Sequence, residues 1–340
     1  MSNHVPYYVT ASVTAAGVLG GAYLVYRLSR DKPTKLPETW EKVGVLTEIN
    51  VYPIKSCGVI SLDTVECTNL GLKDGWLRDR VLMVVDDKNN FITARGYPEL
   101  LQVVPTVRNS VLTLEHANME PVHVNLAEVV ALQKPKKAVV WGDPVTVYDC
   151  GEEVSRWFSR FIDRPPVNYR LVYYIGDNCR KVRDTANKLY KFTKNDTGAM
   201  PDETSYHLVN LASVDDLNTR LASDSKVTMR NFRPNFVLTG AKAYEEDNWK
   251  FIKIGENVFE ILKPCFRCLL TTIDPETGVR NSKTEPLTEL KKYRQAASAE
   301  ERKAFGTSPR MGLQLALRSG PGGKRARLTV DATTALCASL

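Results

Sequence analysis

The chain has 340 residues, of which 43% are hydrophobic and 25% are charged, and its formal net charge is +7. This length suits one large domain or two ordinary domains with a tail, and the ordinary composition excludes a low-complexity chain. The modest, diffuse positive charge suits anionic ligands or a membrane surface, but it gives no argument for binding nucleic acid.

An uncharged stretch, YYVTASVTAAGVLGGAYLVY, occupies residues 7–26. A helix of this length spans about 30 Å, the thickness of a bilayer's hydrocarbon core. Basic residues follow the stretch (Arg27, Arg30, Lys32 and Lys35), which places the rest of the chain on the cytosolic side. The alternative is a cleaved secretory signal, whose basic residues would precede the apolar run. We therefore predict an N-terminal transmembrane helix, with residues 1–38 as membrane anchor and linker.

Short strands dominate residues 43–166. The predicted strands are VGVLTEINVYPIKS, DTVECTNL, SVLTLEH, EPVHVNL and DPVTVYD, and DRVLMVVDDKNNFITA is a predicted hairpin. Spacing of this kind is typical of a barrel or a sandwich. A helix capped by Asp149 follows, with Trp157 and Phe158 on its apolar face, and Pro165 ends it. These elements predict a β-rich first domain with a boundary near residue 166.

Residues 167–315 predict a second domain of the α+β class. Its predicted strands are YRLVYYI, NFVLTG, NVFEILK and CLLTTI, and its predicted helices are SVDDLNTRLA, LTELKKYRQ and a segment opened by a capping box from Ser298 to Glu301. No glycine-rich phosphate loop or dinucleotide fingerprint occurs, so a nucleotide cofactor is not expected. No two histidines have metal-ligand spacing, which leaves a His-based zinc site without support.

Cys265 and Cys268 form the most closely spaced cysteine pair of the chain, within CFRC. The seven cysteines are odd in number and irregularly spaced, so we expect mostly free thiols in a reducing compartment. The pair admits four interpretations: a redox dithiol, part of a zinc site, two buried structural thiols, or one thiolate that binds a soft transition metal. A predicted strand after the pair argues against dithiol chemistry, which usually opens a helix, and no second pair supports zinc.

Five segments place polar or basic residues at strand ends and turns: YPIKS, LRDR, ETS, NFRPN and FRC. If the fold brings them together, they form a pocket for an anion such as a phosphate. Arg267 and Lys263 would then stabilise an ionised cysteine electrostatically. This pattern favours the interpretation of one thiolate with a bound metal, while isolated surface charge remains the alternative for each segment.

Six motifs together resemble one enzyme family, the mitochondrial amidoxime-reducing components, which contain a molybdenum-cofactor sulfurase C-terminal (MOSC) domain. The motifs are VYPIKSCGV, LRDRVLMVV, FITAR, TMRNFRPN, CFRCLLTTIDPETG and EPLTELKKYRQ, and the resemblance covers residues 43 to 310. It implies a MOSC N-terminal β-barrel-like domain at 43–166, followed by a MOSC β-barrel domain with flanking helices at 167–315.

The resemblance also implies the cofactor and its contacts. The metal of a molybdenum cofactor (Mo-molybdopterin) would bind the Cys268 thiolate, which would be the catalytic residue and the metal ligand. The implied cofactor-binding residues are Lys55, Ser56, Arg80, Thr204, Ser205, Arg233, Asn235, Phe266, Arg267 and Cys268. Arg95 is a weaker candidate, and Phe266 stands where relatives commonly have a small residue.

The implied activity is reduction of N-hydroxylated compounds (amidoximes, hydroxylamines and N-oxides), with nitrite reduction as a further activity. Electrons would come from a cytochrome b5-type haem protein and its NADH-dependent reductase, and the protein would face the cytosol from the outer mitochondrial membrane. Two other classes stay open: a non-catalytic MOSC module that carries the cofactor or its sulfur, and a cofactor-free, membrane-tethered interaction protein.

The end of the chain departs from the family. Relatives end in strand-forming apolar runs around a Gly-Asp-Pro-Val segment, whereas this chain ends RMGLQLALRSGPGGKRARLTVDATTALCASL. The basic, glycine-rich composition predicts a poorly ordered tail over residues 316–340. A barrel that lacks its last strands would lose stability even with every cofactor residue present.

Overall fold

The computed structural model describes residues 35–164, 168–176, 178–180, 189–190, 192–319, 327–330 and 333–339. The predicted membrane anchor at residues 7–26 lies outside these ranges. Within them, no helix has both the length and the apolar composition to cross a bilayer. The described part of the chain is β-rich with short helices, as the sequence predicted.

The strands of the described residues fall into four sheets. In chain order they are β1 (Glu41–Val51), β2 (Ile60–Leu62), β3 (Thr64–Thr68), β4 (Gly71–Asp74), β5 (Leu77–Arg78), β6 (Leu82–Val85), β7 (Val104–Arg108), β8 (Val111–His116), β9 (Met119–Asn125), β10 (Pro135–Val140), β11 (Asp143–Asp149), β12 (Arg170–Tyr174), β13 (Tyr206–Asn210), β14 (Phe236–Thr239), β15 (Trp249–Ile254), β16 (Asn257–Phe266), β17 (Arg310–Ser319), β18 (Arg327–Thr329) and β19 (Thr334–Ser339).

The α-helices of the described residues are short. They are α1 (Leu126–Leu132), α2 (Glu152–Ile162), α3 (Leu211–Arg220), α4 (Met229–Phe232), α5 (Leu287–Tyr293) and α6 (Ala299–Phe305). Single 3₁₀ turns occur at Pro98–Gln102, Ser223–Ser225, Glu245–Asn248 and Leu269–Thr272. The predicted capping box opens α6, where the Ser298 hydroxyl accepts from the Glu301 amide at 3.1 Å.

Seven strands close into a barrel in the order β14, β13, β17, β16, β15, β19 and β1, and β1 pairs with β14 to complete it. Neighbouring strands run antiparallel except for the parallel pair β13 and β14. Three rings, Tyr206, Phe236 and Phe259, pack together in the core with centroids 5.0 to 5.7 Å apart. Gly44 allows the closure, since a Cβ at that position would lie 2.0 Å from the Thr239 carbonyl oxygen.

The predicted disorder of residues 316–340 differs from the structure wherever that segment is described. β17 continues through Ser319, β18 pairs with β3, and β19 lies between β15 and β1 in the barrel. Ala335 and Cys337 point into the core and are 0% and 2% exposed. This segment is ordered because TALCAS alternates buried and more exposed residues, as a strand does. As β19 it pairs with the edges of β15 and β1, which would otherwise lack a partner.

The first domain packs a four-stranded sheet (β10, β11, β12 and β6) and a three-stranded sheet (β7, β8 and β9) around its own core. β12 corresponds to the predicted strand YRLVYYI, which the sequence assigned to the second domain. In the structure it pairs with β11 and with β6. The hydrophobic residues of β12 are buried on both faces, and they need a sheet covered on both sides.

Two further predictions in the first domain need correction. The predicted hairpin over residues 79–94 retains its turn, but its second run makes isolated bridges such as Val85 to Phe91 and forms no strand. The predicted helix begins at Glu152 with Gly151 as its N-cap, and Asp149 accepts from the Gly151 amide at 2.9 Å just before it. The expected apolar face is confirmed, because Trp157 and Phe158 are 2% and 0% exposed.

Candidate functional site

A cavity of about 510 Å³ lies where several loops meet the ends of barrel strands. The loop after β1 supplies Lys55, the loop after β5 supplies Arg80, and the segment between α4 and β14 supplies Arg233. Nine of the ten predicted site residues line it: Lys55, Ser56, Arg80, Thr204, Arg233, Asn235, Phe266, Arg267 and Cys268. Ser205 is not among the lining residues, and its hydroxyl donates to the Asn69 carbonyl at 2.6 Å. The fold thus joins segments that are far apart in sequence.

Three of these residues adopt left-handed backbone conformations. The φ angles are 71° for Ser56, 46° for Arg80 and 53° for Arg233. Such angles are uncommon outside glycine and cluster at functional sites, where surrounding structure maintains them. Arg80 is held by its amide, which donates to the Tyr52 carbonyl at 2.8 Å. The strain indicates that the direction of these side chains matters more than local stability.

Arg233 carries a buried guanidinium with spare hydrogen-bonding capacity. One nitrogen, Nη1, donates to the Cys57 carbonyl at 2.6 Å, and the group lies 4.1 Å from the Tyr52 ring centroid. The other nitrogen, Nη2, is buried without a hydrogen-bond partner among the described residues. Burial lowers the pKa of Arg233 to about 10. Since leaving a buried charged donor unpaired is costly, an anion in the cavity would satisfy it.

The side chains of Asn235 and Thr204 already form hydrogen bonds within the protein. The Asn235 amide group donates to the Asn50 carbonyl at 3.0 Å, and its oxygen accepts from the His207 backbone amide at 3.1 Å. The Thr204 hydroxyl donates to the Tyr206 carbonyl at 2.9 Å. These two side chains therefore hold together the backbone segments that line the cavity.

A carboxylate, Asp202, lies among the cations of the cavity. It pairs with Lys55 and Arg95, and it accepts from Trp141 Nε1 at 3.0 Å. Burial lowers the pKa of Lys55 to about 8, although Asp202 acts in the opposite direction. Burial alone would raise the pKa of Asp202, but Lys55 and Arg95 hold it well below its usual range. The carboxylate therefore stays ionised at neutral pH.

The two cysteines of the CFRC segment lie in different surroundings. Cys265 is at the end of β16, is 7% exposed, and accepts from Arg267 Nη1 at 2.8 Å and from Gln314 Nε2 at 3.2 Å. Cys268 is half-buried, and its sulfur accepts from Arg95 Nε at 3.2 Å. Both are free thiols. Cys268 is thus the more accessible sulfur, and Cys265 is bonded to its own barrel.

The local structure around Cys268 corrects two expectations. The predicted strand CLLTTI is a 3₁₀ turn at Leu269–Thr272, because the Thr271 and Thr272 hydroxyls donate to carbonyls three residues earlier. Neither expected cation reaches the Cys268 sulfur: Arg267 bonds to Cys265, and Lys263 pairs with Glu203. Arg95, the weaker candidate, takes that place.

Arg267 and His207 link the cavity to the barrel. Arg267 Nη1 lies 3.2 Å from His207 Nε2, and Arg267 Nη2 donates to the Phe232 carbonyl at 2.7 Å. Burial, with Arg267 nearby, holds the pKa of His207 well below its usual value, so the ring is neutral and accepts this bond. Arg267 Nε is a second buried donor without a partner in the described part of the chain.

Sequence reasoning missed Trp141, Asp202 and Arg180. Arg180 donates to the Pro201 carbonyl at 3.0 Å and pairs with Asp143, which holds the segment that carries Asp202. Trp141 lies in the turn between β10 and β11. A usable signal was the Trp-Gly pair in a hairpin turn, where a large apolar residue is unusual.

Two domain families match this chain. One is described as MOSC N-terminal beta barrel domain and matches residues 43–165, and the other is described as MOSC domain and matches residues 195–320. The fold and the site therefore define the class as a two-domain MOSC protein.

Similar curated proteins refine the class. The chain is 38% identical over 304 residues to mitochondrial amidoxime reducing component 2 of Rattus norvegicus, covering 88% of this chain and 87% of that protein. It is 36% identical over 311 residues to component 1 of Danio rerio and 34% identical over 310 residues to component 1 of Homo sapiens, each covering 91% of this chain and 89% of the relative. The chain belongs to the family of mitochondrial amidoxime-reducing components, and the resemblance found in the sequence is confirmed.

Proposed function

We propose that this protein is a molybdenum-cofactor-dependent oxidoreductase that reduces N-hydroxylated compounds, including amidoximes, hydroxylamines and N-oxides. One observation carries the proposal: the accessible Cys268 thiol lines the same cavity as Arg233, whose buried guanidinium has an unpartnered nitrogen. A soft thiolate suits molybdenum, and buried cationic donors suit the phosphate of a pterin. Family membership supports the assignment to molybdenum chemistry.

In this proposal the cavity residues hold the two ends of one ligand. Cys268 supplies the metal ligand, while Arg233, Arg80 and Lys55 supply positive charge for the phosphate. When bound, the cofactor supplies a metal that exchanges two electrons and accepts oxygen. The overall reaction breaks the N–O bond of the substrate, consumes two electrons and two protons, and releases the oxygen as water.

The protein's own residues provide charge and orientation. Arg95 donates to the Cys268 sulfur and so fixes the position of the proposed metal ligand, with a positive charge beside it. Asp202 fixes Arg95 through an ion pair with Nη2, while Nε donates to the sulfur. Phe266 pairs its ring with Phe305 at a centroid distance of 3.8 Å, so its contact with the cofactor is assigned to the backbone.

The electron donors and the location are part of the same proposal. A cytochrome b5-type haem protein and its NADH-dependent reductase would deliver the electrons to this site. Residues 7–26 would anchor the protein in the outer mitochondrial membrane with the catalytic part in the cytosol. The relatives' names as mitochondrial components support the mitochondrion as the organelle. Shared anchoring raises the effective concentration of such partners. Nitrite would be a further substrate.

Purified full-length protein from a host that makes the cofactor tests the proposal. We expect about one molybdenum per chain by elemental analysis, and NADH-dependent reduction of benzamidoxime when both electron-transfer proteins are added. Bound pterin without turnover would overturn the catalytic assignment and support a cofactor carrier. Protein without molybdenum or pterin would overturn the whole proposal and support a tethered interaction protein.

A further inference from the structure

Trp141 is a large aromatic residue that the proposed cofactor contacts do not use. It lies between β10 and β11, its residue surface is 51% exposed, and it lines the cavity that contains Cys268. Exposed tryptophan is uncommon without a binding role, because its surface is large and mostly apolar. Its position in the cavity therefore favours a role in ligand binding.

The backbone of Trp141 is strained. Its φ angle is 51° and that of Gly142 is 85°, so both central residues of the hairpin turn are left-handed. Such turns favour Asn-Gly or Asp-Gly, and a bulky residue at the first position is an outlier. A turn chosen for stability alone would not contain tryptophan there. Strain of this kind persists where it positions a side chain for function.

Three contacts fix the Trp141 ring. Its Nε1 donates to Asp202 at 3.0 Å, the Phe91 ring packs against it at 4.9 Å with a 60° tilt, and the Arg95 guanidinium lies 5.1 Å from its centroid. Arg95 also donates to the Cys268 sulfur at 3.2 Å. One guanidinium thus contacts both the aromatic ring and the sulfur, and the three contacts orient the ring before any ligand arrives.

From this arrangement we infer that Trp141 determines substrate specificity, as a platform against which aromatic N-hydroxylated substrates pack. The inference rests on the proposed function and names the substrate class within it. The exposed part of the ring supplies flat apolar surface, and an aryl group gains an offset or edge contact there that a short alkyl group cannot make. Arg95 keeps the platform beside the reactive sulfur, so a packed aryl group brings its N-hydroxyl group to that end of the cavity.

A variant that removes the ring without harming the turn is available. Trp141→Asn supplies a residue that the left-handed turn favours, so loss of folding does not confuse the result. Trp141→Phe keeps an aromatic surface but loses the bond to Asp202. Leu132→Ala serves as control, since Leu132 is 64% exposed and does not line the cavity.

The test compares benzamidoxime with acetamidoxime in the full-length holoenzyme. We expect Trp141→Asn to lower the ratio of their kcat/KM values by about fivefold to tenfold, Trp141→Phe to restore much of it, and Leu132→Ala to leave it unchanged. An unchanged ratio in Trp141→Asn, with both substrates slowed equally or neither slowed, would overturn the inference and assign Trp141 a structural role.

A second readout does not depend on turnover. Calorimetry on the metal-free protein measures binding of benzamidine and acetamidine, the products of the two substrates. We expect Trp141→Asn to reduce the preference for benzamidine by a similar factor. If the wild type reduces neither substrate, the proposed function fails, and the benzamidine preference still decides whether Trp141 is an aryl platform. Equal preference in wild type and variant would overturn it.

Discussion

Arg95 and Cys268 are 173 positions apart in sequence, yet the guanidinium Nε donates a hydrogen bond to the sulfur at 3.2 Å. Arg95 belongs to the loop after β6 and Cys268 to the turn after β16, so the contact joins the first domain to the barrel. Asp202 pairs with Nη2 of the same guanidinium. The accessible thiol therefore depends on both domains for its electrostatic surroundings.

This contact predicts the reactivity of Cys268. We expect Arg95→Gln to slow alkylation of Cys268 by the anionic reagent iodoacetate roughly threefold at pH 7.5, because the guanidinium beside the sulfur attracts the reagent's carboxylate. Mass spectrometry of the metal-free protein identifies the modified cysteine. Arg160→Gln, at an exposed arginine of α2, is the control and leaves the rate unchanged. Equal rates in wild type and Arg95→Gln would show that the guanidinium does not attract anions to the sulfur.

Lys55 predicts how anion binding depends on pH. Burial lowers the pKa of Lys55 to about 8, so its positive charge is lost as the pH rises through that value. We expect the affinity of the metal-free protein for sulfate, which does not titrate in this range, to fall above about pH 8. Isothermal calorimetry should show a flat profile for Lys55→Met and the wild-type profile for exposed Lys88→Met. A sulfate affinity that is independent of pH in the wild type would remove Lys55 from the anion site.

Arg233 predicts a conflict between stability and ligand binding. Its buried guanidinium is only partly satisfied, so we expect Arg233→Met to raise the free energy of unfolding of the metal-free protein by about 1 kcal/mol. The same variant should lose molybdenum on purification. Arg294→Met is the matched control, because Arg294 is also buried but donates twice to Asp247, at 2.7 and 2.9 Å.

Urea denaturation separates the two arginines. Arg294→Met should lower the free energy of unfolding by about 3 kcal/mol, since the partly buried Asp247 carboxylate loses two charge-assisted hydrogen bonds and keeps only a 3.8 Å contact with Arg310. A loss of similar size in Arg233→Met would mean that Arg233 is structural, which would weaken the case for an anion in the cavity.

How far the sequence predicts this structure depends on the kind of pattern. Alternation and capping identified β1, the apolar face of α2 and the start of α6, because those signals are local. The partners of β12 were not predicted, because β6 and β11 lie earlier in the chain and an almost fully apolar strand does not indicate which strands pair with it. β19 was missed because glycine and basic residues before it suggested disorder, while two unpaired barrel edges supply its order.

The residues of the candidate site were predicted from a different kind of signal than the fold. Nine residues were obtained from family motifs, and the structure places them around one cavity. Local sequence could not reveal which cation meets Cys268, because proximity in the chain favoured Arg267 and Lys263. Their side chains point elsewhere: Arg267 bonds to Cys265, and Lys263 to Glu203. Arg95 reaches the sulfur through the tertiary fold, which no local sequence pattern predicts.

β19 predicts that the end of the chain is essential for stability. Ala335 is 0% exposed in the barrel core, and Thr334 beside it is exposed. We expect Ala335→Asp to lower the free energy of unfolding by about 3 kcal/mol or more, because it buries an unpaired charge. Thr334→Asp should change it by less than about 0.5 kcal/mol. Equal, small effects in urea denaturation would mean that β19 does not close the barrel.

Cys268, and not Cys265, is the proposed metal ligand. Molybdenum content and the electron paramagnetic resonance spectrum of the reduced holoenzyme test it in Cys268→Ser and Cys265→Ser. We expect Cys268→Ser to abolish benzamidoxime reduction and to alter the metal spectrum, while Cys265→Ser keeps the wild-type spectrum and substantial activity. Equal loss in both variants, or a wild-type spectrum in Cys268→Ser, would contradict it.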